Sequence, residues 1–338
     1  MRKFALVFAC LPALAAADIH YTLAPNTRSK SIAVSISPDT PGAAEIFRIP
    51  AWCPGFYSIK NYQAKIYDVV ATTSDGTALA VQKVDSRSWR VVNPNKKQIT
   101  FRYMVLGDDP GLGFFAVNVR DDKVFVNGPA AFMYVDGKVT EPTRLTLKLG
   151  QQKWDVATGL SKNEEGAYVA NGYDEFIDNP IQLGTMARRS FSIGESAFEV
   201  VFASPDNQYR PNLDKQAEMI KKVSAPAVAL FGGLPVKRFV FIFHLAVGDF
   251  SGGLEHRAST VMSVPNSATA DIATLVAHEF FHTWNVKQLR PKVLGPFDYT
   301  QPVRTGNLWF AEGVTDYYAQ LMTYRGYVGD ASWLEDVF

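Results

Sequence analysis

The run Thr274–Val286 (TLVAHEFFHTWNV) sets His278, Glu279 and His282 in an otherwise apolar stretch, and it constrains the fold more than any other part of the chain. Leu275, Val276, Phe280 and Phe281 make it a largely buried helix. Helix positions four apart stand about 40° from one another around the axis. Both imidazoles therefore project to one side and can hold a single metal ion. A glutamate buried between two histidines is costly unless a metal or a proton answers its charge. H-E-x-x-H on a helix is the spacing of a zinc site in which the histidines bind and the glutamate serves as general base.

Zinc in a hydrolytic site takes three protein ligands and keeps one position open. A third histidine in the pattern H-x-x-G-x-x-H is excluded, because Asn285 and Gln288 occupy those positions. Of the downstream carboxylates, Asp298 lies in a Pro- and Gly-rich loop, whereas Glu312 lies in the apolar helix WFAEGV and needs a reason to be there. Glu312 is the expected third ligand. Asp316, one turn later on the same face, is expected to accept the second ring N–H of His278 or His282; a solvated helix aspartate fits that position equally well. In the implied chemistry Glu279 takes a proton from the attacking water and passes it to the leaving amine. Imidazole and carboxylate ligands would also accept cobalt or manganese.

Ahead of that helix stands Gly252-Gly253-Leu254-Glu255-His256. Paired glycines let a peptide backbone approach closely, and the following RASTVMSV is expected to form an edge strand to which a peptide adds. Glu255 could then hold a free α-amine. A plain turn before a strand fits the same residues. His244 and His256 read as structural or specificity residues rather than ligands.

Composition matters here for what it excludes. With net charge +1 over 338 residues, nothing marks a nucleic-acid surface. The 47% hydrophobic and 20% charged content argues against disorder. Arg2 and Lys3, the apolar Phe4–Ala17 and the Ala15-x-Ala17 end read as a signal peptide over residues 1–17, too short to span a bilayer. The mature chain is thus expected to be periplasmic or secreted, without a transmembrane segment. It retains only Cys53, beside aromatics in AWCPGFY, which reads as a packed and inert thiol. Residues 18–204 alternate with period two in runs such as SIAVSIS and QITFRYMVL, which predicts an antiparallel β-sandwich. Residues 205–338 change texture: a helix over 212–230 disturbed at Pro226, a buried strand KRFVFIFHL, a helix from about Thr269 to before Pro291, and another over 308–325. The whole reads as a multidomain α+β chain.

HEFFHTWNVKQLRP, LWFAEGVTDYY and GGLEHRASTVM together resemble the M61 family of metallopeptidases, the glycyl aminopeptidases. IPAWCPGFYSIKNY and NGPAAFMYVDG are similar to that family's N-terminal β-domain. The resemblance implies a thermolysin-like (gluzincin) catalytic domain with Zn2+ held by His278, His282 and Glu312, Glu279 as base, and Glu255 as the amine-binding residue beside Gly252 and Gly253. It also implies peptide substrates with a small first residue such as glycine or alanine. Family members usually continue with further catalytic helices and a PDZ domain, so the catalytic domain is expected to be truncated here. The oxyanion is then left to a residue from later in the chain, or to one of Tyr317, Tyr318, Tyr324 and Tyr327. Two rival expectations remain: a zinc endopeptidase, and a catalytically incomplete peptide-binding module.

Overall fold

The computed structural model describes residues 18–109, 114–203, 212–246, 250–265, 272–329 and 332. The expected signal peptide, residues 1–17, and the junction at 204–205 lie outside them.

The first unit is built of three sheets. An eight-stranded sheet has Ile19–Asn26, Ser31–Pro38 and Ile99–Leu106 as consecutive neighbours at its centre. Its pairing is antiparallel except where Ile19–Asn26 runs parallel to Thr143–Leu147. Period-two alternation sends Ile19, Tyr21, Leu23, Ile32, Val34 and Ile36 into one core. There they meet the two four-stranded sheets, with Phe47 stacked on Phe101 at 4.0 Å. The segment Ala131–Met133 is buried, so its carbonyls need donors. Three tyrosine hydroxyls supply them: Tyr103 to Ala131, Tyr173 to Phe132 and Tyr21 to Met133.

The second unit is a five-stranded mixed sheet in the order Ala187–Ile193, Ser196–Ala203, Arg238–Ala246, Ser259–Pro265, Gly252–Glu255. Helix Leu213–Phe231 connects the parallel pair Ser196–Ala203 and Arg238–Ala246. Asn212 caps its start by accepting from the Lys215 amide, and Gly232 ends it in the left-handed conformation. The helix runs through Pro226 rather than breaking there. Three helices cover one face of the sheet, burying Phe198, Phe241, Phe243 and Phe280 together. The other face, with Val201, Val240 and Ile242, packs on Phe114 and Phe125 of the first unit. A strand buried on both faces reads as a continuous apolar run, which is why KRFVFIFHL shows no alternation.

Two expectations need correction. The boundary drawn at residue 204 puts the hairpin Ala187–Ala203 in the first unit, but that hairpin pairs with Arg238–Ala246 and belongs to the second sheet. Alternation identifies a strand and says nothing about its partner. The run RASTVMSV is likewise not an edge: Ser259–Pro265 lies between Arg238–Ala246 and Gly252–Glu255, and the glycine-bearing strand is the edge itself.

The units are tied through the connection between the last two helices. Tyr299 sits in the first core and donates to Asp174 at 2.6 Å, while the Trp52 indole donates to the Asp298 carbonyl at 2.9 Å. Among the described residues no helix is long and apolar enough to cross a membrane.

Candidate metal centre

The histidine helix is regular over Ala273–Phe281, after which the chain tightens into turns. This is shorter than the run to Pro291 that the sequence suggests. The Asn285 carbonyl folds back to accept from His282 Nδ1 at 2.7 Å. His278 Nδ1 meets Asp316 Oδ1 at 2.7 Å. With both Nδ1 atoms hydrogen-bonded to acceptors, each carries its ring proton there, and both Nε2 lone pairs are free.

Those lone pairs converge. The two Nε2 atoms are 3.0 Å apart, and Glu312 Oε2 stands 3.4 Å from that of His278 and 3.6 Å from that of His282. Zn–N and Zn–O bonds of about 2.0–2.2 Å in a tetrahedron require ligand atoms about 3.3 Å apart. Two lone pairs and a carboxylate facing one another this closely repel unless a cation lies among them, so the donor set fits a zinc ion. The electrostatics show how strongly the three groups are coupled. Its two histidine partners hold the Glu312 carboxyl at about 2. Burial disfavours protonation of both imidazoles, yet Glu312 outweighs it and draws both upward.

Glu279 is buried on the inner side of this triad, and its Oε2 has no hydrogen-bond partner. Burial pushes its carboxyl up to about 8, with the charge of Glu255 adding to the effect. The edge strand presses on it: a Cβ on Gly253 would stand 2.4 Å from Glu279 Cδ and Oε1. Gly253 is therefore the glycine that close approach requires. Gly252 is not, since a Cβ there meets its nearest atom, in Phe250, at 3.4 Å.

Glu255, at 8% exposure, accepts no hydrogen bond and pairs with no cation among the described residues. Gly55 of the first unit (φ +87°) fits against it, where a Cβ would come 2.9 Å from Glu255 Oε2. Three carboxylates, Glu255, Glu279 and Glu312, thus share one electrostatic neighbourhood. His278 and Lys287 offset part of that charge at Glu279.

Several residues of this site carried no sequence signal. Asn285 Nδ2 donates to the Phe310 and Ala311 carbonyls and to Thr315 Oγ1, at 3.1, 3.3 and 3.1 Å. It fastens the helix Leu308–Arg325, and Glu312 with it, to the histidines. Buried Asp178 of the first unit receives Lys287 Nζ at 2.9 and 3.0 Å and lies 3.2 Å from His256 Nδ1. Burial alone would raise its carboxyl, but Lys287 and His256 lower it. These partners are 78 and 109 residues away in sequence, beyond any local pattern. Tyr57 packs on Val286, Leu294 and Ala311, and its hydroxyl is pushed up by burial and by the charges of Glu255, Asp178 and Glu312. His244 is buried, pairs with Gln182 at 2.9 Å and is pushed down to about 3 by burial. Cys53 is buried and its thiol is pushed up to about 11. Of the candidate tyrosines, Tyr318 stacks on Phe281, and Tyr327 points to solvent at 93% exposure.

Residues 20–185 match the family model of the peptidase M61 N-terminal domain, and residues 271–337 match that of M61 glycyl aminopeptidase. Among solved structures, an aminopeptidase N family protein from Idiomarina loihiensis is 25% identical with a TM-score of 0.86. That match covers 92% of this chain and 55% of the other, so the chain spans about half of that relative's length. An M1 zinc metallopeptidase from Deinococcus radiodurans, a substituted form bound to a Tyr-Ser-Ala substrate, aligns over 95% of this chain and 74% of its own. At 12% identity and a TM-score of 0.50, it shares the fold. No curated protein matches the chain.

Proposed function

The chain belongs to the M61 peptidase family, and on that premise we propose that it is a zinc-dependent aminopeptidase removing small first residues, glycine or alanine, from peptides. The observation that carries this reading is the triangle of His278 Nε2, His282 Nε2 and Glu312 Oε2, with sides of 3.0, 3.4 and 3.6 Å. A bound zinc ion would supply Lewis acidity, polarising the scissile carbonyl and acidifying a water.

The chain's own residues do the rest. Asp316 and the Asn285 carbonyl fix the tautomers and ring orientations of the ligand histidines. Glu279 accepts the proton of the attacking water and returns it to the leaving amine. Glu255, a buried carboxylate without a partner among the described residues, holds the substrate's α-ammonium; this selects a free N-terminus and so favours an aminopeptidase over an endopeptidase. A peptide lies along the open edge of Gly252–Glu255. Export to the periplasm or medium belongs to the same proposal and rests on the signal-like residues 1–17.

The test pairs zinc content with hydrolysis of Gly- and Ala-initiated peptides, free and N-acetylated. Bound zinc with cleavage of the free peptides alone is the expected result. Cleavage of the acetylated peptides at equal rate identifies an endopeptidase, and no cleavage by the zinc-loaded protein overturns the enzymatic reading.

A further inference from the structure

The two faces of the edge strand Gly252–Glu255 are furnished differently. Gly253 rests on the Glu279 carboxyl, so Gly253 and Glu255 lie on the face turned to the histidine helix. Strand side chains alternate, and Gly252 and Leu254 look the other way. Leu254 there joins the cluster of Phe114, Val201, Val240 and Val261. At Gly252, two rings close on the bare backbone: a Cβ would meet Phe250 Cζ at 3.4 Å and Phe114 Cε2 at 3.9 Å. Phe114 is buried and packs against Phe250 and Phe115 with centroids 6.3 and 5.9 Å away. Phe115 continues to Phe56 at 4.4 Å, and the Lys60 ammonium lies over both of those rings, 3.8 Å from Phe56 and 4.4 Å from Phe115.

A peptide laid beside this strand obeys the same alternation. Its amine must reach Glu255 while its first carbonyl faces Glu279 and the ligand triad. That face is taken up by Glu279, His278 and His282, so the first side chain is directed to the phenylalanine face. We propose that Phe250 and Phe114 form the floor of the pocket for the substrate's first side chain and end it at about the depth of a methyl group. This makes them the residues that restrict the enzyme to glycine and alanine. The inference rests on the aminopeptidase reading and adds the structural cause of its selectivity. Anything larger has to push the Phe250 ring, 59% exposed, off the buried Phe114 against which it leans. Lys60, at the end of that cluster, adds a positive charge that disfavours lysine and arginine side chains.

The experiment measures binding of glycine, alanine, leucine and phenylalanine hydroxamates to the zinc-loaded protein by calorimetry, alongside kcat/KM on the matching N-terminal p-nitroanilides. Wild-type protein should prefer glycine and alanine over leucine by on the order of 10–200-fold, the range that a few methylenes command. Phe250→Ala, and the milder Phe250→Leu, should raise the leucine-to-glycine ratio by about tenfold or more. Phe250→Trp should lower the alanine-to-glycine ratio, and damage to the fold would not move the two ratios in opposite directions. Wild-type acceptance of leucine as readily as glycine overturns the proposal. So do unchanged ratios in variants that still bind glycine hydroxamate. If wild-type protein binds no hydroxamate at all, the aminopeptidase reading itself has failed and this inference falls with it.

Discussion

Replacing Gly253 by alanine brings a Cβ to 2.4 Å from Glu279 Cδ and Oε1 and to 2.6 Å from its Cγ. Carbon atoms settle at about 3.5–4.0 Å, so some group has to move by about an ångström. The strand is held by its pairing with Ser259–Pro265, where Gly253 faces Met262, and the Glu279 side chain is the part that yields. Overpacking of this kind costs about 1–3 kcal/mol. Shifting a catalytic group by about 1 Å lowers the rate on the order of 100-fold. The triad is untouched, so metal content should stay at the wild-type level. Alanine at the adjacent Gly252 meets only an ordinary contact at 3.4 Å, and stability there should change by less than about 0.5 kcal/mol. Urea denaturation, metal analysis and kcat/KM on Gly- and Ala-initiated peptides check each part. A Gly253→Ala protein with wild-type stability and turnover would refute the idea that the strand braces Glu279. One that also lost its metal would show that the substitution acts more broadly than the geometry implies.

Glu279→Gln should retain zinc and lose activity by on the order of 10²–10⁴-fold or more, as read by metal analysis beside turnover. Asp316→Asn removes the acceptor that orients His278 and should weaken zinc binding by about 10–100-fold in a chelator competition. Asp178→Asn strips the partner from buried Lys287 and should cost about 3–5 kcal/mol of stability in urea titration. For pH, the Glu279 carboxyl sits at about 8 in the fold against an ordinary 4.5. It therefore holds a proton that the unfolded chain has released, and the metal-free protein should lose stability as pH rises from 4.5 through 8. Glu312, held at about 2, has the opposite sign: its contribution is present above about pH 4.5 and is lost as pH falls toward 2. Metal-free denaturation series across pH 5–8 check the first of these, and Glu279→Gln should flatten that slope.

How much was legible followed from how local each feature is. The period-two runs of the first unit, the continuous apolar strand Arg238–Ala246 and the helix Leu308–Arg325 are local patterns, and the structure has elements where the sequence suggests them. The histidine spacing is local too, since one turn of helix is enough to bring two imidazoles to the same side. Partner choice is not local. Nothing in the alternation of Ala187–Ala203 says that it joins the second sheet, and nothing in RASTVMSV says that a shorter strand will cover its outer side.

The sequence by itself determined that a buried charge must be answered, by a metal or a proton: two imidazoles stand four residues apart with an apolar-embedded glutamate between them. Only the tertiary structure decided how that demand is met. Glu312 reaches the histidines because Asn285 bonds the carbonyls at the start of its helix and Tyr299 anchors the intervening loop in the first unit's core. Glu255 has no partner among the described residues, and what packs against its carboxyl is Gly55 of the first unit, far away in sequence. Contacts across such separations follow from the packing of two cores against one another, and no window of sequence holds both sides of them.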